Sequence, residues 1–152
     1  MTTPRKVGII VGSLRKDAFS RQVAGVLRSL APSVVSLDVI EIRSLPLYDP
    51  DLDIAEPPAA WAEFRRALAA VDAVLFVTPE YNRSVPAALK NALDVGSRPY
   101  GANAWAGKPG AVVSVSPGAL GGFGANHHLR QSLVFLDVPT LQQPEVYLGH
   151  VD

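Results

Sequence analysis

The sequence contains no cysteine. Disulfide frameworks, cysteine-based metal sites, thiol nucleophiles and dithiol relays are therefore excluded together, and any redox chemistry has to come from a bound cofactor. An excess of charge is missing too, since fourteen basic residues balance fourteen acidic ones. That removes the electrostatic footprint of a nucleic-acid binder and leaves a small molecule as the expected partner. Long apolar runs are also absent: "MTTPRKVGIIVGSLR" at the N-terminus has a basic flank but too short an apolar stretch for a signal-peptide core or a membrane span. The expected compartment is the cytoplasm, with no membrane partner, where "NRS" at Asn82 to Ser84 carries no glycosylation meaning.

Three chemistries are missing from the motif content. "DPDLD" at Asp49 to Asp53 begins like a calcium loop, but Ile54 stands where glycine is needed and Ala60 where the bidentate glutamate belongs. It reads as a solvated turn. The neighbours His127 and His128 do not both face one metal on a helix and have no acidic partner at ligand spacing, so no metal is expected. There is no G-x-S-x-G, and Ser116 in "SVSPG" has no visible triad, which argues against a hydrolase.

What is present is an alternation of two periods over 152 residues, enough for one domain with a real core. Lys6 to Gly12, Val71 to Pro79 and Gly110 to Gly118 are nearly continuous apolar runs rich in β-branched residues, as strands buried on both faces require. Val34 to Ile42 alternates more clearly, and Leu141 to Leu148 carries Pro144, which predicts an interrupted edge strand. Between them lie helical stripes: Phe19, Val23, Val26, Leu27 and Leu30; Trp61, Phe64, Leu68 and Val71; Val85, Leu89, Ala92 and Leu93; Leu129, Leu133 and Leu136. The order βαβαβαβαβ predicts an α/β three-layer sandwich of the flavodoxin-like type, a five-stranded parallel sheet in the order 2-1-3-4-5. Residues 1–152 are expected to form this single domain. The chain stops soon after the fifth strand, so the expected sandwich lacks the final helix; either the sequence is truncated or a neighbouring subunit covers that side.

In this order the ligand site lies beyond the carboxyl ends of strands 1, 3 and 4. The first loop, "GSLRKDAFSRQVA", offers Gly12 for a tight turn, the hydroxyls of Ser13 and Ser20, the charges of Arg15 and Arg21, and the free N–H groups of a helix starting near Phe19. It suits a terminal phosphate monoester; equally, Ser20 or Asp17 caps the helix and the arginines are solvated. The second, "PEYNRSVP", is stiffened by Pro79 and Pro86, with Tyr81 and Asn82 offering a stacking surface and an amide, and Ser84 placed to cap the next helix. The third, "SVSPGALGGFGANHH", has Ser116 at the strand end and glycines at 118, 121, 122 and 124 that admit a close ligand.

"GSLR" followed by "SR", "PEYNRSVPAALKNALD", "AGKP" before strand 4 and "HLRQSLVFLDVPTLQQPEV" together resemble the NAD(P)H-dependent FMN reductase family, with its quinone, azo-dye and chromate reductases. The resemblance implies an FMN-binding domain that takes a hydride from NAD(P)H and passes electrons to a small-molecule acceptor: a quinone, an azo compound or a metal oxyanion. It implies that Ser13, Arg15 and Ser20 hold the phosphate, that Pro79, Glu80, Tyr81 and Asn82 border the flavin, and that Ser116 and Gly118 close the third side. Where the family commonly has a second small hydroxyl residue and an asparagine in the first loop, this chain has Ala18 and Ser20. No side chain is required as acid or base in the hydride step, so no catalytic residue is assigned. Arg83 meets nicotinamide-cofactor phosphate or pairs with an acid of a partner subunit. The family pairs into a homodimer or homotetramer through the helix near Val85 to Val95 and the Trp105 segment, and a core role for Trp105 is equally open. The rival readings are a flavodoxin-like electron carrier, disfavoured by the neutral charge, and a non-catalytic module that keeps the fold without the cofactor.

Overall fold

The structure, a computed structural model, describes residues 3–151. In chain order it contains β1 (Arg5–Val11), α1 (Phe19–Ser29), β2 (Val35–Val39), a short 3-10 turn (Pro50–Leu52), α2 (Ala59–Ala69), β3 (Ala73–Pro79), α3 (Ala87–Gly96), β4 (Gly110–Val115), α4 (Phe123–Phe135) and β5 (Val146–Leu148). The strands pair in parallel in the order β2-β1-β3-β4-β5, as the alternation predicts. The flavodoxin-like sandwich follows from it. No helix among the described residues is long and apolar enough to cross a membrane.

Both faces of the central strands are apolar because each face meets a helical layer. Ile10, Phe76 and Val112 point into a cluster with Trp61, Phe64 and Leu68 of α2, Leu89 and Leu93 of α3, and Leu129 and Leu133 of α4. Their alternates Ile9, Val11, Val77 and Val113 form a smaller cluster with Ala24 of α1. The stripe expected on α1 is only partly covered, since Val26 is 55% and Leu30 73% exposed. α1 buries Ser20 and Ala24 fully and packs Val23 and Leu27 in part against the sheet, leaving Val26 and Leu30 on its flank.

One open choice is decided here and one expectation is corrected. Trp105 is wholly buried and belongs to the core, not to an outer surface: its Nε1 donates to the Leu93 carbonyl at 3.1 Å and its ring meets Phe64 and Phe76 at centroid distances of 5.9 and 5.6 Å. The Asp49 to Asp53 turn is solvated only in part. Asp49 caps the short 3-10 turn by accepting the Asp51 N–H at 3.0 Å, but the Asp53 side chain is 4% exposed and takes both terminal nitrogens of Arg65 at 2.8 Å. Arg65 also donates through Nε to the Val95 carbonyl at 2.9 Å, and its guanidinium lies 5.8 Å from the centre of the Trp61 ring. One bidentate pair thus ties the connection after β2 to α2 and α3. The partner is invisible to a local reading because it lies 12 residues away on another element.

The Arg65 guanidinium holds the Asp53 carboxyl below its ordinary value of 3.8 against the opposing effect of burial. The pair therefore stabilises fully above that value and loses its contribution as pH falls through the lower folded one. Asp53→Asn leaves Arg65 without its counter-charge and is expected to cost about 3 kcal/mol in urea unfolding at neutral pH. The gap between variant and parent should begin to shrink as the pH falls below about 4, where the unfolded parent takes up the proton, and should close once the lowered folded value is passed.

Candidate functional site

Register brings three strand ends level: Val11 pairs with Val77, Val77 with Val113, and Pro79 with Val115. The loops leaving β1, β3 and β4 consequently meet around one cleft of ≈ 140 Å³. Ser13, Arg15, Ser20, Pro79, Glu80, Tyr81 and Ser116 line it; Asn82 and Gly118, also expected there, do not. Phe19, Val115 and Pro117 are walls that sequence reasoning missed, although each adjoins a residue it chose. A second hollow of ≈ 440 Å³, over Gly12, Leu14 and Ala87, shares Arg15 and Tyr81 with the first. A larger hollow of ≈ 670 Å³ lies at the opposite end of the sheet, where the one acid in its lining is already engaged: Asp72 accepts the backbone N–H of Lys6 at 2.7 Å and pairs with Arg5 at 3.6 Å. In a sheet of this order it is also the wrong end for a ligand.

In the first loop Gly12 is needed for proximity, not for a turn: a Cβ there would stand 2.6 Å from Thr78 Oγ1. Ser13 is buried and its Oγ accepts the Arg15 N–H at 3.2 Å. Neither Ser20 nor Asp17 caps α1. The cap position is Ala18, whose side chain has nothing to offer, and the first turn contains no acid. Ser20 is 1% exposed, and its Oγ is the buried side-chain oxygen or nitrogen without a partner among the described residues. Arg21 is taken by Glu41 through two bonds of 2.8 and 3.0 Å, which holds the Glu41 carboxyl below its usual range and raises Arg21. Arg15 is exposed and has no acidic partner among the described residues. The site therefore combines free helix N–H groups, a dry hydroxyl and an uncommitted guanidinium, the donor set of a small anion such as a phosphate.

In the second loop Tyr81 and Ser84 exchange backbone hydrogen bonds of 3.1 and 3.0 Å around Asn82 and Arg83, which have φ of 51° and 62°. This is a two-residue turn with both central residues left-handed, a geometry that favours Asn-Gly. Tyr81 stands at the cleft, half exposed. Ser84 does not cap the next helix, which begins at Ala87 behind Pro86; its Oγ lies 3.0 Å from His128 Nδ1 instead. One carboxylate oxygen of Glu80 accepts the Ala125 N–H at 3.0 Å, and the other is 3.8 Å from Arg83.

In the third loop the Ser116 Oγ accepts the Gly118 N–H at 3.2 Å, and the Ser116 N–H donates to Leu148 at 2.9 Å. The paired glycines serve the chain itself more than a ligand. Gly121 and Gly122 have positive φ, and a Cβ on them would strike the Tyr147 backbone and the Ser114 side chain. His127 is engaged with Tyr147, its Nε2 lying 2.9 Å from the phenol oxygen.

Residues 5–152 match the family described as NADPH-dependent FMN reductase. A quinone reductase of Pseudomonas putida is 62% identical over 149 residues, covering 98% of this chain and 80% of the relative. A 2-hydroxy-1,4-benzoquinone reductase of a Burkholderia species is 50% identical over 145 residues, covering 95% and 79%. Among solved structures, the flavoenzyme NAD(P)H:(acceptor) oxidoreductase FerB of Paracoccus denitrificans superposes with a TM-score of 0.92 at 38% identity, covering 97% of this chain and 80% of that one.

The left-handed Arg83 offers a test of the second loop. A left-handed residue with a Cβ costs roughly 1–2 kcal/mol, of which glycine recovers part after its greater unfolded-state entropy. Arg83→Gly is therefore expected to stabilise the chain by about 0.5–1 kcal/mol in thermal melting. A lower melting temperature would mean that the Arg83 side chain, not the backbone, holds the turn.

Proposed function

The chain belongs to the NADPH-dependent FMN reductase family, and from that premise we propose that it is a flavin-dependent quinone reductase, carrying reducing equivalents from NAD(P)H through FMN to a small quinone. The observation that carries the cofactor site is the meeting of an uncapped α1, the unpartnered buried Ser20 hydroxyl and the unpaired Arg15 at one end of the cleft. An unsatisfied buried hydroxyl is costly, and a phosphate oxygen is the acceptor that would satisfy it. The names of the Pseudomonas and Burkholderia relatives favour a quinone over an azo compound or a metal oxyanion as acceptor.

FMN, when bound, supplies the redox chemistry between NAD(P)H and the acceptor. The chain's own residues bind and orient. Ser13, Ser20, Arg15 and the first N–H groups of α1 hold the phosphate. Pro79, Glu80 and Tyr81 would border the ring system, Glu80 through its backbone, while Asn82 does not line the cleft and shapes the turn behind Tyr81. Ser116 would close the third side, held by the Gly118 N–H from outside the lining, and Phe19, Val115 and Pro117 would exclude water from the cleft. The hydride step itself needs no side chain as acid, base or nucleophile, and the proton that completes a hydroquinone is supplied by solvent.

The same reading includes one domain over 1–152, a cytoplasmic setting, no nucleic-acid partner, and a homodimer or homotetramer. Self-association is supported by Val134 and Phe135, which α4 leaves three-quarters exposed. Light scattering that gives a monomer at all concentrations would remove that element alone.

Two measurements test the proposal. The protein mixed with FMN should show a bound-flavin absorption band that bleaches on anaerobic addition of NADPH or NADH and returns with a quinone. A band that survives both nucleotides would favour an electron carrier. Ser20→Ala should act with opposite signs, stabilising the FMN-free protein by about 1 kcal/mol while weakening FMN binding about tenfold. A variant that leaves FMN affinity unchanged removes Ser20 from the phosphate site, and Arg15→Ala tests the guanidinium in the same titration.

A further inference from the structure

Helix α4 lacks a cap of its own: Gly122 occupies the cap position, no side chain there bonds to the helix, and its first turn has no acid. The missing anion comes from another element. Glu80, 45 residues earlier in sequence, reaches across with a side chain only 14% exposed and accepts the Ala125 N–H. A carboxylate at the start of a helix is favoured by both the free N–H groups and the helix dipole. Two further features seat the second loop on this turn. Ser84 meets His128 on the next turn of α4, and Gly124 lies so near the loop that a Cβ on it would stand 2.8 Å from the Arg83 carbonyl. Glu80 thus joins the loop after β3, one wall of the cleft, to the helix into which the loop after β4 runs, two segments that leave adjacent strands.

We infer that Glu80 is a positioning residue, whose carboxylate clamps the second loop to α4 and so sets the width of the cleft that receives the flavin. The inference rests on the flavin reading above and adds a role for the side chain: it acts through Ala125 and not on the ring. The ionisable groups around it are Arg83 at 3.8 Å and the exposed His128, which faces Ser84.

The test compares Glu80→Gln, whose amide oxygen still accepts the Ala125 N–H, with Glu80→Ala, which cannot. In the FMN-free protein, hydrogen exchange at the Ala125 amide should rise about tenfold or more in the alanine variant and stay near the parent in the glutamine one. FMN titration should follow the same order, with affinity about tenfold weaker for alanine and within about threefold for glutamine. The midpoint potential of flavin bound to Glu80→Gln should match that of the parent. A shifted potential, or a glutamine variant as weak as alanine with Ala125 still protected, overturns the inference, because the carboxylate charge would then act directly on the flavin. If the alanine variant does not fold, an exposed Ala125 amide in the glutamine variant overturns it equally and a protected one supports it. If the parent binds no FMN, the flavin reading fails, and the exchange measurement still decides the clamp.

Discussion

The site depends on the parallel register of β1, β3 and β4. Because Val11, Val77 and Val113 lie in one row across the sheet, three chain segments leave it at one height and meet before any of them turns back into a helix. Strands buried on both faces cannot carry polar chemistry themselves, so every polar function is pushed to that row of ends. The cleft is a consequence of sheet order, and its donors are consequences of what each loop leaves unsatisfied.

This is why much of the molecule was legible in its sequence. The continuous β-branched runs can be satisfied only inside a two-sided layer, and the helical stripes on Trp61, Phe64 and Leu68 or on Leu129 and Leu133 name the residues that cover it. The loops could be chosen without coordinates, since the fold class alone says which strand ends converge. The boundaries were less visible. The strand expected over Leu141 to Leu148 is paired as a strand only at Val146–Leu148, because Pro144 interrupts it and pairing needs a neighbour that the sequence does not display.

What escaped the sequence was whatever depends on a distant partner. Asp53 looked solvated because it closes a short acidic turn that contains Asp49, Pro50 and Asp51, and Ser84 looked like a helix cap because of where the next helix starts. The structure gives one to Arg65 and the other to His128. The glycines of the third loop looked like room for a ligand, whereas Gly121 and Gly122 make room for β4 and β5. In each case residue type told what kind of bond was wanted, and only the tertiary fold told with whom. Ser20 is the instructive opposite: among the described residues the fold offers its buried hydroxyl no partner at all.

The division of the core into two unlike layers has a consequence for how the molecule reports on itself. Both tryptophans, Trp61 and Trp105, sit in the cluster between the sheet and α2, α3 and α4, while the cluster beneath α1 contains only aliphatic side chains. Intrinsic fluorescence is therefore a one-sided witness: it registers loosening of the helical layer that includes α2 and α3 and is blind to the side on which α1 begins. A bound flavin, seated at the start of α1, would watch the other side through its own colour. Agreement or disagreement between these two signals during unfolding distinguishes a chain that melts as one cooperative body from one whose two faces let go separately.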